Sequence, residues 1–162
     1  MHLGNRNAHI ISFGVVAVTA LLGSSYTRNS VKSSWYNCIR PSLTPPNYLF
    51  PIVWTILYIL LALAIARCIQ KPKTTLHYDT ILYLFALNLM FNVAWCYFYF
   101  GQRNVTAGLF SIILLWTSIV CLIYFLYQSR DMKSVNYLIP YGLWVSFAGL
   151  LNVLSLKNAS RC

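Results

Sequence analysis

The chain has no glutamate. Its only side-chain carboxylates are Asp79 and Asp131, set against 12 Lys and Arg in 162 residues. Histidine is almost as scarce: His2, His9 and His77 lie near the start of the chain or in a loop. Acid–base catalysis needs a titratable group at the reacting atoms, and no apolar run carries an Asp, Glu or His away from its ends. This shortage gives no support to a conventional hydrolase, a proton-driven pump built on intramembrane carboxylates or a haem held by a buried His. The five cysteines, Cys38, Cys68, Cys96, Cys121 and Cys162, are odd in number and never at C-x-x-C spacing. Neither a metal site nor a disulfide framework is expected from them, and no cofactor is expected.

Charge is scarce as well. Only 9% of residues are charged and 59% are hydrophobic, with a mean hydropathy of +0.62. A soluble domain carries about a quarter charged residues, so the solvent this composition suits is a bilayer. The net charge of +10 does not indicate nucleic acid, because the basic residues stand singly between apolar runs rather than clustered among polar ones.

What is present is a set of five apolar runs, at about 9–26, 48–68, 79–101, 105–127 and 135–156. Each approaches the ~20 residues of a spanning helix. The expected architecture is therefore all-α, one integral membrane domain over 1–162 with five transmembrane helices and one long loop, 27–47. The first run could instead be a cleaved signal peptide, but it is long enough to span. Basic residues divide six to six between the two ends of such a bundle, so the positive-inside rule gives no orientation. One end holds Arg6, Arg67, Lys71, Lys73, Arg130 and Lys133; the other holds Arg28, Lys32, Arg40, Arg103, Lys157 and Arg161.

Three runs carry coherent faces. Phe50, Trp54, Tyr58 and Leu61 form one stripe, and Asn88, Asn92, Trp95 and Tyr99 form another. Amides in hydrocarbon need partners, so the second stripe should face the bundle interior, either for interhelical hydrogen bonding alone or to line a cavity. In the last run Tyr141, Trp144, Ala148, Leu151 and Asn152 share a face, while Gly142, Ser146 and Gly149 share the opposite one and should allow close helix contact. Periodicity alone favours Trp144 as an interface tryptophan near a helix start over a cavity wall. Together the aromatic stripes suit an apolar pocket with a few polar groups, the usual make-up of a small-molecule site. Pro41, Pro45 and Pro46 stiffen the approach to the second run and Pro51 falls at its first turn. They serve either as a rigid lid or as plain helix-start punctuation.

The motifs are WY at Trp35–Tyr36, P-S-x-T-P-P-x-Y-x-F at Pro41–Phe50 and VWTILY at Val53–Tyr58. Further along come A-L-N-L-x-x-N-V-A-W at Ala86–Trp95, F-G at Phe100–Gly101 and P-Y-G-L-W-V-S-F-A-x-x-L-N at Pro140–Asn152. In this order they resemble the translocator protein / tryptophan-rich sensory protein family, also called the peripheral benzodiazepine receptor family. The resemblance runs from about Gly23 to Asn158. It implies five helices around a pocket, with the proline-rich loop as its lid (Trp35, Pro41, Pro45, Pro46). It implies a receptor or carrier for a lipophilic ligand, a tetrapyrrole such as protoporphyrin IX or haem and also cholesterol, and often a homodimer. The alternative it carries is light- and oxygen-dependent porphyrin degradation by pocket tryptophans, here Trp54 and Trp144. Ligand-binding positions carried over are Phe50, Trp54, Tyr58, Asn92, Trp95, Trp144, Ala148 and Leu151. The membrane implied is the mitochondrial outer membrane for a eukaryotic chain and the cell envelope for a bacterial one. The chain departs from the family pattern at Val153, where the animal sterol motif has Tyr, at Ser111, where an acidic residue is frequent, and at Ala107, where animal members have a pocket Trp.

Overall fold

A computed structural model describes residues 5–162, and among these there is helix and no strand. His2 lies outside the described residues. Five helices are long and apolar enough to cross a membrane: α1 (Asn5–Ser30), α3 (Leu49–Gln70), α4 (Tyr78–Cys96, extended by a π-helical turn, Tyr97–Gly101), α5 (Val105–Gln128) and α6 (Met132–Ala159). A sixth, short helix, α2 (Ser34–Ile39), lies between α1 and α3. The chain is a multi-pass integral membrane protein.

Several elements start where a polar side chain satisfies the free N–H groups of a first turn. Ser33 accepts from the Tyr36 N–H at 3.2 Å to cap α2. Asn104 accepts from the Ala107 N–H at 2.9 Å to cap α5. Asp131 accepts from the Ser134 N–H at 3.3 Å to cap α6. This last cap corrects the expected start of the final span from about 135 to Met132. The segment expected as loop 27–47 is likewise shorter, because α1 continues to Ser30 and Ser33 nucleates α2.

The spans form a closed ring in the order α1, α3, α6, α5, α4 and back to α1. The Asn88, Asn92, Trp95, Tyr99 stripe of α4 turns inward, and all four residues are buried. The half of the ring remote from the lid is filled by aliphatic and small side chains, among them Leu61, Ala62, Ala64, Ile81, Leu115, Ile119, Leu122, Leu126 and Leu138. Its end is tied by Asp131. The carboxylate, fully buried, meets Arg67 Nη2 at 3.0 Å and Lys71 Nζ at 2.8 Å and accepts from the Ser134 hydroxyl at 2.8 Å. Burial alone would raise the pKa of Asp131. The hydrogen bonds from Lys71, Arg67 and Ser134 outweigh it and hold the group at about 2.

At the opposite end the chain is closed covalently. Cys38, in α2, is disulfide-bonded to Cys162 across 124 residues of sequence, which corrects the expectation of no disulfide. The odd count and absent C-x-x-C spacing bear only on local frameworks. This pair is made by the ring itself, which returns α6 to the side of the bundle where α2 sits. Asn158 Nδ2 donates to the Ile39 carbonyl at 3.1 Å beside it.

The small face of α6 also differs from expectation. A Cβ on Gly142 would sit 3.5 Å from an Ile119 methyl, but one on Gly149 would meet nothing within 4 Å. Instead of a tight helix contact, Ser146 and Gly149 floor an outward groove of about 390 Å³ between α5 and α6, walled by Leu109, Ile113, Trp116 and Val153. Trp116 Nε1 donates to Ser146 Oγ at 2.8 Å and spans the groove.

Candidate functional site under the lid

The π-helical turn that ends α4 sets the site's geometry. The Gln102 N–H reaches back five residues to the Tyr97 carbonyl at 2.8 Å, a bulge of the kind found at functional sites. Trp95 and Tyr99 both point inward around it. Trp95 Nε1 donates to Asn152 Oδ1 at 3.2 Å, and Asn152 Nδ2 donates to the Val105 carbonyl at 2.9 Å. The Tyr99 hydroxyl and Ser155 Oγ lie 2.8 Å apart. Gly108 lets α5 come in this close: a Cβ there would stand 2.9 Å from Tyr99 Cβ and 3.1 Å from Asn152 Oδ1.

Above these rings lies the lid. Trp35 meets Tyr99 edge-on at 6.0 Å, and Tyr36 packs on Phe100 at 5.9 Å. Burial raises the Tyr36 hydroxyl pKa, with the Arg40 charge opposing. Between lid and bundle is a cavity of about 20 Å³ lined by Pro41 and Thr44 from the lid, Phe50 from α3, Trp95 from α4, and Ala148 and Leu151 from α6; Tyr36, Tyr99, Phe100 and Asn152 complete it.

Five of the residues carried over from the sequence, Phe50, Trp95, Ala148, Leu151 and the lid's Pro41, thus share one wall. Trp54 sits behind it, its ring 6.2 Å from both Trp95 and Tyr141 and 5.4 Å from Tyr58. Trp144 lies near the middle of α6. It packs on Phe50 at 5.7 Å and Phe147 at 5.6 Å, a position different from the interface one that periodicity favours. Pro45 is half-buried, Pro46 is exposed and neither lines the cavity. Thr44, Tyr36 and Phe100 line it without having been singled out as site residues. Tyr99 and Asn152 do too, and both lie on stripes already legible as helical faces.

Tyr58 and Asn92 belong to a hydrogen-bond chain below the cavity. The Tyr58 hydroxyl donates to Asn92 Oδ1 at 2.8 Å, and Asn92 Nδ2 donates to the Tyr141 hydroxyl at 3.2 Å. Tyr141 donates in turn to Asn88 Oδ1 at 3.1 Å, and Asn88 Nδ2 to Ser118 Oγ at 2.8 Å. The Ser118 hydroxyl finishes on the Leu115 carbonyl at 2.6 Å. Every member donates in the same direction and joins α3, α4, α6 and α5, as buried polar groups in hydrocarbon must. Two groups nearer the lid lack this. Thr44 Oγ1 and Trp144 Nε1 are both buried and have no hydrogen-bond partner.

Among the described residues no group of three or more His, Cys, Asp or Glu could hold a metal ion. The chemistry available is stacking on indole and phenol rings and hydrogen bonding from neutral donors. The lid end also carries Arg28, Lys32, Arg40, Arg103, Lys157 and Arg161 with no Asp or Glu side chain beside them, since both aspartates lie at the far end.

Comparison with known proteins agrees with this architecture. The chain is 36% identical over 150 residues to the tryptophan-rich protein TspO of Chlorobaculum tepidum, covering 91% of this chain and 92% of that one. It is 32% identical over 148 residues to the tryptophan-rich protein TspO of Archaeoglobus fulgidus, covering 90% and 94%. The translocator protein of Bos taurus is 28% identical over 134 residues, covering 81% and 78%. A family model, TspO/MBR family, matches residues 12–155, and with aromatic walls, proline-stiffened lid and five-helix ring all in place, the chain belongs to the TspO/MBR family.

Proposed function

We propose that this protein is a membrane receptor or carrier that takes a flat, lipophilic ligand into the cavity beneath the lid, a tetrapyrrole such as protoporphyrin IX or haem ahead of a sterol such as cholesterol. The observation that carries this reading is the concentration of rings at one spot. Phe50, Trp95, Tyr99 and Phe100 line the cavity, with Trp54 and Trp144 directly behind. Indole and phenol faces gain most from a planar π-system laid against them. At about 20 Å³ the cavity holds about one water, so a macrocycle enters by displacing the lid and parting these rings. The unopposed cations at the lid end would attract the carboxylates of a porphyrin. Printed names of relatives, "tryptophan-rich sensory protein" and "translocator protein", accord with a receptor or carrier.

A second reading is light- and oxygen-dependent porphyrin breakdown. It is favoured by the contact of Trp54 with three other rings, Tyr58, Trp95 and Tyr141, which would share out an electron vacancy left by a photoexcited ligand.

Both readings are tested by titrating purified, detergent-solubilised protein with protoporphyrin IX in the dark and following the porphyrin absorption band. Saturable binding that weakens about tenfold or more in a Trp54→Phe/Trp144→Phe double variant is expected. Equal affinity in the two proteins overturns the site. Illumination in oxygen then decides between the readings: loss of the band beyond a protein-free control, absent in the double variant, favours the enzyme.

A further inference from the structure

The lid is held to the bundle by few bonds. Apart from the turns where residues 31–48 leave α1 and enter α3, one hydrogen bond among the described residues joins them to the spans, from Asn158 Nδ2 to the Ile39 carbonyl at 3.1 Å. Both ion pairs among the described residues lie at the far end. The rest of the seat is packing: Trp35 on Tyr99, Tyr36 on Phe100, and the fully buried Ile39. A helix as short as α2, six residues, does not hold its own shape in water, so α2 depends on this seat. The covalent tie across the seam is the Cys38–Cys162 disulfide. Tyr36, Pro41 and Thr44, the lid's share of the cavity wall, all lie close to Cys38 along the chain. The bond is also within reach of solutes. Both of its residues are exposed, whereas Cys68 and Cys96 are buried within spans and Cys121 is half-buried in α5.

We infer that the Cys38–Cys162 disulfide is a thiol-exchange site that latches the lid, and that its reduction by a dithiol frees α2 from α6 and speeds passage of the ligand in both directions. This rests on the proposed cavity as the binding site and adds control of entry to it. The step is thiol–disulfide exchange. A thiolate of the dithiol attacks one of the two sulfurs, the S–S bond breaks, and the other cysteine leaves as a thiolate that takes up a proton. The second thiol of the reductant, as its thiolate, then attacks the mixed disulfide, closes the reductant into a cyclic disulfide and releases the remaining cysteine. The dithiol loses two electrons and two protons, and the protein gains them as two thiols. A cavity of about 20 Å³ admits a macrocycle only while the lid is displaced. With the bond made, α2 cannot leave α6. With it broken, one hydrogen bond and the packing of three side chains remain to be undone. The latch therefore acts on the barrier shared by entry and release, as lids that gate exchange do.

The test uses the full chain in detergent, first oxidised with oxidised glutathione, then reduced with dithiothreitol, beside a Cys38→Ser/Cys162→Ser double variant. Alkylation in denaturant should find three free thiols in the oxidised wild type and two more after reduction. If glutathione leaves all the cysteines open to alkylation, the bond is not made and the inference falls. Association and release of protoporphyrin IX are then followed in the dark by tryptophan quenching in stopped flow. Reduction should speed both rates about tenfold or more, re-oxidation should slow them again, and the double variant should be fast throughout and indifferent to either reagent. Saturable binding with rates unchanged by reduction overturns the latch. Amide hydrogen exchange of the unliganded protein gives a readout that needs no porphyrin. Reduction should accelerate residues 34–47 more than α5. Equal acceleration of both makes the bond a brace for the whole bundle and overturns the latch, as does no acceleration of either. If no porphyrin binds saturably in either redox form, the tetrapyrrole reading alone falls, and the amide exchange decides the latch by the same criteria.

Discussion

The two halves of the bundle are built from the same five helices but to different rules. Far from the lid the interior is mostly aliphatic and small, and its end is tied by one carboxylate between two cations. Beneath the lid the interior is aromatic, a π-helical turn interrupts α4, and six cations have no Asp or Glu side chain beside them. Lipid gives helices little hydrophobic reason to associate, so tight packing and satisfied polar groups must hold a membrane bundle together. One half supplies these. The other is thereby free to keep large flat side chains, the rings that the proposed ligand would meet.

The contrast predicts a ranking of effects. Asp131→Ala strips the partner from Arg67 and Lys71 and removes the cap of α6, and should destabilise by about 3–5 kcal/mol in thermal or denaturant unfolding in detergent. If it unfolds like wild type, the far end is not the anchor. The same carboxylate gives a pH signature. Its pKa in the folded protein is about 2 against an ordinary 3.8, so its stabilising effect is complete above the ordinary value and vanishes as pH falls through the folded one. Wild type should be flat from neutrality to about pH 5, then lose roughly 2 kcal/mol between about pH 4 and 2, a slope missing in Asp131→Asn.

Cys38→Ser, or mild reduction, opens a loop that the chain-entropy account values at about 4–5 kcal/mol. Helices held in a bilayer or micelle are already constrained when apart, so about 2 kcal/mol is the expected loss, together with faster proteolysis within residues 31–47. An unchanged cleavage rate would detach the disulfide from the lid. The smallest pair sharpens the comparison most. Gly108→Ala drives a methyl into Tyr99 and Asn152 and should cost about 1–3 kcal/mol, whereas Gly149→Ala extends into the open groove and should stay within about 0.5 kcal/mol of wild type.

Which features were legible in the sequence follows from the range of the forces involved. Spans are set by run length, and inward stripes by a 3.6-residue period, so the five helices and the faces through Trp54, Asn92 and Trp95 could be read directly. A capping side chain decides a helix start locally but competes with the apolar run beside it, so the cap at Asp131, and with it the start of α6 at Met132, was not read from the run. Cys38 and Cys162 are brought together only by ring closure, which no spacing encodes. Thr44 sits in a lid without periodicity, so no repeat pattern marks it as a residue that lines the cavity. Gly149 reads as a contact residue by size, but it lies on the floor of a groove that the Trp116–Ser146 hydrogen bond crosses.

The bond between Cys38 and Cys162 has a geographical consequence as well. Both sulfurs belong to exposed residues, and an exposed disulfide endures only where the surrounding medium is oxidising. Basic residues, six at each end, give the membrane no means of telling the bundle's top from its bottom. The bond does give one. Where it is kept, the lid end of the bundle faces the oxidising compartment, and Asp131 with its two cations lies at the opposite face of the membrane.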